Sequence, residues 1–439
     1  MYAGFLKGRT ALLLSILLAF MLAFQGCGGG SGGGVQDNIP DTNDDTDGGG
    51  GDGDETVYSG GVFITAETLK GWVDAGKVNT ISTDRVVILD ISNSSDYNAG
   101  HIPGAILVDI AELYQTRSDG IIYSINEVPD GPTMDVLIDK WGIDEFTTVV
   151  FTSAASTQTS ASGYLNVTRA YYTFRYWGFT KDKLKVLNGL NAAYSHKYGG
   201  LTTDVPTIEP HGNFGVRLFE SLWTCRRASL KEMIDFADGK IPNSLAIDAR
   251  GGDGPGGTAY SYDGDYKATS GVFNPPGDYV AFEGHIKGAV ALNWSTLFKA
   301  VDANGDGTDD YRQYLPETEL TSIFTGIGLD SSKTAYVYCR SGVIASSVFA
   351  VLEAMGRNAI NYDGSWSEWS QLAGKENGGY LENDSPWRTD IPSRTENPTF
   401  NKDAGAVIEN PGAGGEVDSY DRGNRIEDAD IAYNGNKPN

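Results

Sequence analysis

The sequence Gly-His-Ile-Pro-Gly-Ala at 100–105 recurs as Gly-His-Ile-Lys-Gly-Ala at 284–289, and both copies have the same neighbours in the same order. Before the first copy stand a helical stretch, ETLKGWVDAG, and a short apolar run ending in an acid, RVVILD; after it come TTVVFT, the helical SGYLNVTRAYYTFRYWG and LKVLNGLNAAY. The second copy follows ASLKEMIDFADG and SLAIDAR and precedes TAYVYC, VIASSVFAVLEAMG and AINYDGSWSEW. Short β-branched runs alternating with helix-length segments give α/β units on a mostly parallel sheet. Repetition of the whole order means a duplicated unit rather than one large domain. A chain of 439 residues, 40% hydrophobic, has enough apolar side chains for two such cores.

Outside the repeats the composition changes. Lys7 and Arg9 precede the apolar ALLLSILLAFMLAF, which is short for a membrane span and reads as an export signal. It ends at Gly26 and Cys27, which resembles a bacterial lipoprotein cleavage site. That resemblance implies a lipid on Cys27 and an extracytoplasmic protein held to the cell envelope. With Gly28 rather than Asp after the cysteine, the outer membrane is favoured. From Gly28 the chain is mostly Gly and Asp, a tether with almost nothing to bury. The C-terminal stretch, rich in Asn, Gly, Asp, Glu and Pro, reads as an acidic, mostly irregular tail. A net charge of −25 argues against a nucleic-acid partner.

Besides Cys27 there are two cysteines, Cys225 and Cys339, and neither belongs to a CxxC or Cys/His cluster. Zinc fingers and haem attachment are unsupported. A disulfide between the two stays open in an oxidising compartment. Cys339 ends an apolar strand and stands before Arg-Ser-Gly-Val and a helix. A free thiol has a pKa near about 8.5, so a nucleophilic cysteine needs its thiolate stabilised. A helix N-terminus supplies unpaired N–H groups and partial positive charge. Gly342 permits a tight loop that wraps N–H groups around the sulfur. Arg250 follows a strand end and Arg340 follows the cysteine; a guanidinium grips sulfonate or carboxylate oxygens in pairs. Ser341 offers a hydroxyl to substrate or a cap to the helix.

These residues resemble the tandem-domain rhodanese family of sulfurtransferases. The matching stretches are Asp248 to Arg250, Glu283 to Ala289, Cys339 to Val343 and Tyr362 to Trp369, with His-Ile-Pro-Gly-Ala and Val-Leu-Asn-Gly-Leu in the first half. The resemblance implies two domains, each a five-stranded parallel sheet flanked by helices. It implies a lipoprotein signal and Cys27 at 1–27, a tether at 28–60, an N-terminal domain without the catalytic cysteine at 61–200, the catalytic domain at 201–375 and the tail at 376–439. It further implies that Cys339 carries sulfur as a persulfide from thiosulfate, or a donor such as 3-mercaptopyruvate, to cyanide or a thiol. Arg250, Arg340, Ser341, Gly342 and Val343 would bind the donor, and Asp248, Glu283 and His285 would support the loop. His101 in the first copy has no cysteine to serve, which favours a structural role for both histidines. The partners would be small sulfur donors and acceptors, and no cofactor is required. The rival reading is a non-catalytic scaffold, or a sulfur or selenium carrier, for an envelope protein partner.

In the first half, Thr152 falls near the place of Cys339, and no thiol is present there. Asp302, Asn304, Asp306, Thr308 and Asp310 match the start of a calcium-binding loop, D-x-N-x-D-G, with Gln313 where a bidentate Glu would close it. Structural calcium and a plain polar turn are both compatible with that pattern. The Gly-rich stretch after Arg250 is an insertion that either lines the site mouth or is a surface loop.

Overall fold

The computed structural model describes residues 58–119, 123–154, 160–208, 214–219, 222–250, 280, 284–372 and 424–435, all within the unit Glu55–Asn439. Cys27, the tether and the insertion after Arg250 lie outside the described residues.

In the first domain β1 (Phe63–Ile64), α1 (Ala66–Asp74), β2 (Val86–Asp90), α2 (Ser94–Ala99) and β3 (Ile106–Leu107) are followed by a hairpin, β4 (Gln115–Ser118) and β5 (Tyr123–Glu127). Then come α3 (Gly131–Lys140), β6 (Thr148–Thr152), α4 (Gly163–Tyr176), β7 (Leu184–Leu187) and α5 (Leu190–Tyr198). The second domain repeats this as β8 (Arg227–Ala228), α6 (Leu230–Ala237), β9 (Ser244–Asp248), β10 (Val290–Ala291), hairpin β11 (Phe298–Val301) and β12 (Tyr311–Tyr314), α7 (Glu317–Gly326), β13 (Thr334–Tyr338), α8 (Val343–Ala354), β14 (Ala359–Tyr362) and α9 (Ser365–Leu372). Each domain has a five-stranded parallel sheet, in the orders β1-β7-β6-β2-β3 and β8-β14-β13-β9-β10. The expected duplicated α/β fold is the observed one. The central strands are buried on both faces, which is why VVILD and TAYVY are continuous apolar runs rather than alternating ones.

Local chemistry starts the helices. Thr65 caps α1 by accepting from the Thr68 N–H, and Ser229 and Glu232 form a capping box at α6. Helices α4 and α8 pack on each other across the domain junction, so almost every residue of both is buried. Tyr172 meets Phe349 edge to face at 5.2 Å. Arg175 pairs with Glu353 through Nε–Oε2 at 2.8 Å and Nη2–Oε1 at 3.0 Å, and Tyr171 donates to the same carboxylate. Burial disfavours the charge of Glu353, yet Arg175 outweighs it and holds the carboxyl below its usual range.

The tail is not irregular throughout. Residues Arg425–Gly435 form α10, which docks on the first domain with Ile426 and Asp430 buried. Asp430 takes both terminal nitrogens of Arg117 at 2.7 and 2.8 Å and the Tyr176 hydroxyl at 2.5 Å. Glu427 joins Asp119 and Glu127 on the guanidinium of Arg227. Composition hid this helix because its buried face is held mainly by charge pairs. The segment Phe214–Phe219 also packs on the first domain, with Phe214 and Phe219 against Phe179. No helix among the described residues is long and apolar enough to cross a membrane.

Candidate active site

Strand β13 ends at Tyr338, and Cys339 follows it, 1% exposed. Gly342 caps α8 at φ +77°, a conformation that favours glycine. Space also requires it. A Cβ there would lie 2.5 Å from Asp363 Oδ1 and 2.7 Å from the Asp363 carbonyl. Ser341 does not cap the helix; no side chain does. Ser365 closes the loop from behind. Its hydroxyl accepts from the amides of Cys339 (3.2 Å) and Gly342 (2.9 Å) and donates to the Tyr362 carbonyl (2.8 Å). Two of the loop's amides are therefore used in building it. The first-turn amides of α8, Val343 among them, have no carbonyl partner within the helix and lie beside the sulfur's loop. The bonds from the Trp366 N–H to the Cys339 carbonyl (3.1 Å) and from the Ser367 N–H to the Arg340 carbonyl (2.9 Å) lock α9 to the loop.

The first domain reaches into this site. Asn126, at φ +59°, donates from Nδ2 to Ser341 Oγ at 3.1 Å. Its carbonyl accepts from Arg169 Nη2. Arg169, fully buried on α4, also holds Asp363 through Nη1–Oδ1 and Nη2–Oδ2, the latter at 3.1 Å. Asp363 Oδ2 accepts in addition from the Val128 N–H at 2.9 Å. Tyr114 lies against Arg169, and burial, with Asp363 and Cys339 nearby, pushes its phenol up to about 12 although Arg169 pulls it down. Asn126, Arg169 and Tyr114 are absent from the sequence-derived site. The only hint of Arg169 was a pair of arginines, Arg169 and Arg175, inside the aromatic run of α4.

Arg250 is 9% exposed and folded back on Asp248, with Nε–Oδ1 at 2.9 Å and Nη2–Oδ2 at 2.5 Å, while Nη2 also donates to the Gly284 carbonyl. Its guanidinium lies over Trp366 at 5.3 Å. Asp248 thus supports Arg250 and neutralises part of its charge. His285 is buried beside Gly284, and Arg340 is half-buried; Glu283 lies outside the described residues. His101 stacks on Tyr97, and its ring nitrogens meet the carbonyls of Tyr97 and Asp204, a structural role. Cys225 sits in the turn Thr224–Arg226, and both it and Cys339 are thiols with no disulfide between them.

Sheet register corrects the equivalence in the first half. Asp90 pairs with Thr152 as Asp248 pairs with Tyr338. Ser153, not Thr152, therefore occupies the place of Cys339, and its carbonyl accepts from Asn191 as that of Cys339 accepts from Trp366. One residue matters because successive strand side chains point to opposite faces. The strand ends here face a cleft of about 620 Å³ lined by Asp96, Ala154, Asn191, Ser195, His196 and Asp310.

The loop joining β11 and β12 turns its acids onto its own backbone. Asp302 accepts from the amides of Gly305, Asp306 and Gly307, Asn304 from Asp306, Asp306 from Thr308, and Asp310 from Ala303 and Asn304. Among the described residues no group of three or more His, Cys, Asp or Glu is placed to hold a metal ion.

The model of the rhodanese-like domain matches residues 65–195 and 273–372. The chain belongs to that family, with two copies in tandem, and its chemistry is sulfur transfer. Among its relatives, the "Sulfur carrier protein TtuD" of Thermus thermophilus is 27% identical over 71% of this chain and 95% of its own length. The "Putative thiosulfate sulfurtransferase" of Haloferax volcanii is 25% identical over 72% of this chain and 96% of its own length. An anaerobic ergothioneine biosynthesis enzyme from Chlorobium limicola shares the fold, with a TM-score of 0.52 and 20% identity over 71% of this chain and 68% of that one.

Proposed function

We propose that this chain is an extracytoplasmic, lipid-anchored enzyme that moves sulfane sulfur through Cys339. The observation that carries the reading is the position of Cys339: a buried thiol between a core strand and a helix N-terminus, in a loop that only glycine at 342 can close. The thiolate attacks the outer sulfur of thiosulfate or a similar anionic donor. The donor's S–S bond breaks and sulfite leaves with the electron pair. The acceptor, cyanide or a thiolate, then attacks the outer sulfur of the Cys339 persulfide and releases the thiolate. Arg340 and Arg250 flank the donor's anionic end, with Arg250 held in place by Asp248. The names of the relatives support this class of donor. The carrier name of the Thermus relative also supports a second reading, in which the persulfide is delivered to a protein acceptor.

Incubation of the purified chain with thiosulfate, mercaptopyruvate or polysulfide, followed by mass spectrometry of the Cys339 peptide, tests the reading. One added sulfur atom is expected with at least one donor, and none with any donor rejects it. Discharge of that persulfide by cyanide supports the enzyme reading; discharge only by a protein acceptor supports the carrier. For the anchor, palmitate labelling in cells should disappear in Cys27→Ser.

A further inference from the structure

Asp363 is fully buried, and it lies directly behind the catalytic loop. Its Oδ1 atom and carbonyl touch the space beside Gly342. Two residues on, Ser365 binds the amides of Cys339 and Gly342. A carboxylate so placed repels a sulfur that must carry negative charge, both as thiolate and as persulfide. Against it stands Arg169, from the domain that has no nucleophile, with both terminal nitrogens on the two carboxylate oxygens. Burial disfavours the guanidinium charge, but Asp363 outweighs that and keeps it firmly protonated.

We infer that Arg169 is a positioning residue for Cys339: it cancels the charge of Asp363 across the domain junction, so that the loop stays built and the sulfur stays anionic. The inference rests on Cys339 being the nucleophile. The other charged or titratable groups around the loop are Arg340 on the loop itself, Arg250 with Asp248 at the end of β9, and His285 before β10. Glu368 on α9 completes the second domain's set, and Tyr114 and Glu127 face the site from the first domain. Of these acids, Asp248 has Arg250 and Glu127 has Arg227. Asp363 is the acid that touches the loop, and its neutralising cation comes from the other domain.

The test is the pH dependence of Cys339 alkylation by iodoacetamide, read on its peptide by mass spectrometry in the full chain. In Arg169→Met the midpoint moves up by about one pH unit. In Asp363→Asn it moves down, and in the double variant it returns to the wild-type value. A purely structural role for the pair predicts no such restoration. An unshifted midpoint in Arg169→Met, or a double variant shifted as far as Arg169→Met, overturns the inference. If Arg169→Met does not fold, Asp363→Asn decides alone, and an unmoved midpoint there overturns it. Alkylation needs no sulfur donor, so failure of this inference and failure of persulfide formation are separate results.

Discussion

The two domains are built on one plan and differ at the end of one strand. In the second, four residues carry the chain from Cys339 into α8, and Gly342, Asp363 and Ser365 close the loop tightly. In the first, Ser153 stands where the thiol would be, and the path to α4 at Gly163 is more than twice as long. There the strand ends hold a network of Asp90, Ser92 and Asn191 beside an open cleft. Yet the first domain is not idle. It sends Asn126 to Ser341 and Arg169 to Asp363. The lesson is that duplication separated two tasks: one copy kept the nucleophile, and the other became part of its housing.

The largest effect expected from breaking this contrast is loss of the thiol. Cys339→Ser should abolish sulfur uptake, measured as persulfide on the protein, while Ser153→Cys should gain none, because its connection forms no short cradle. Persulfide at position 153 in that variant would mean that the strand end suffices without the loop. The second effect is on the joint between the halves. Glu353→Ala leaves Arg175 buried without its carboxylate, and a loss of about 3–5 kcal/mol in denaturant unfolding is expected. A much smaller loss would show that α4 and α8 are held by packing alone.

Gly342→Ala comes third. A side chain at φ +77°, pressed on Asp363, should cost about 1–3 kcal/mol and slow persulfide formation far more than an alanine on an exposed helix face. The smallest effect is pH-dependent. Burial, reinforced by Asp119, pushes Glu368 up to about 8, and Glu127 and Glu427 are also raised, chiefly by burial. The folded state then binds protons that the unfolded chain releases. Stability from these groups is complete below 4.5, the ordinary glutamate value, and is lost as pH rises through about 8. Thermal unfolding should drop by a few degrees across that window, and Glu368→Gln should flatten the slope.

Much of this molecule was legible from local pattern. The paired Gly-His-Ile motifs, apolar strand runs and helical periodicity gave two parallel α/β domains, and the strand–loop–helix around Cys339 gave the candidate nucleophile. The equivalence at Ser153 was missed by one residue, because apolar runs buried on both faces have no alternation to set their register. The helix α10 was missed because its docking depends on Arg117 and Arg227, which lie far away in the chain. Calcium binding at 302–310 remains a sequence pattern whose acids the fold turns onto the loop's own amides.

By itself, the sequence determined the secondary elements, their duplication and the one strand end that carries a thiol, since those follow from short-range periodicity, capping and turn chemistry. Only the tertiary structure decided which side chains surround that thiol. Arg169 and Asp363 are almost two hundred residues apart, and neither has a local signature. Their meeting follows from burial of α4 against α8: a charge taken out of water must find its partner wherever packing brings one.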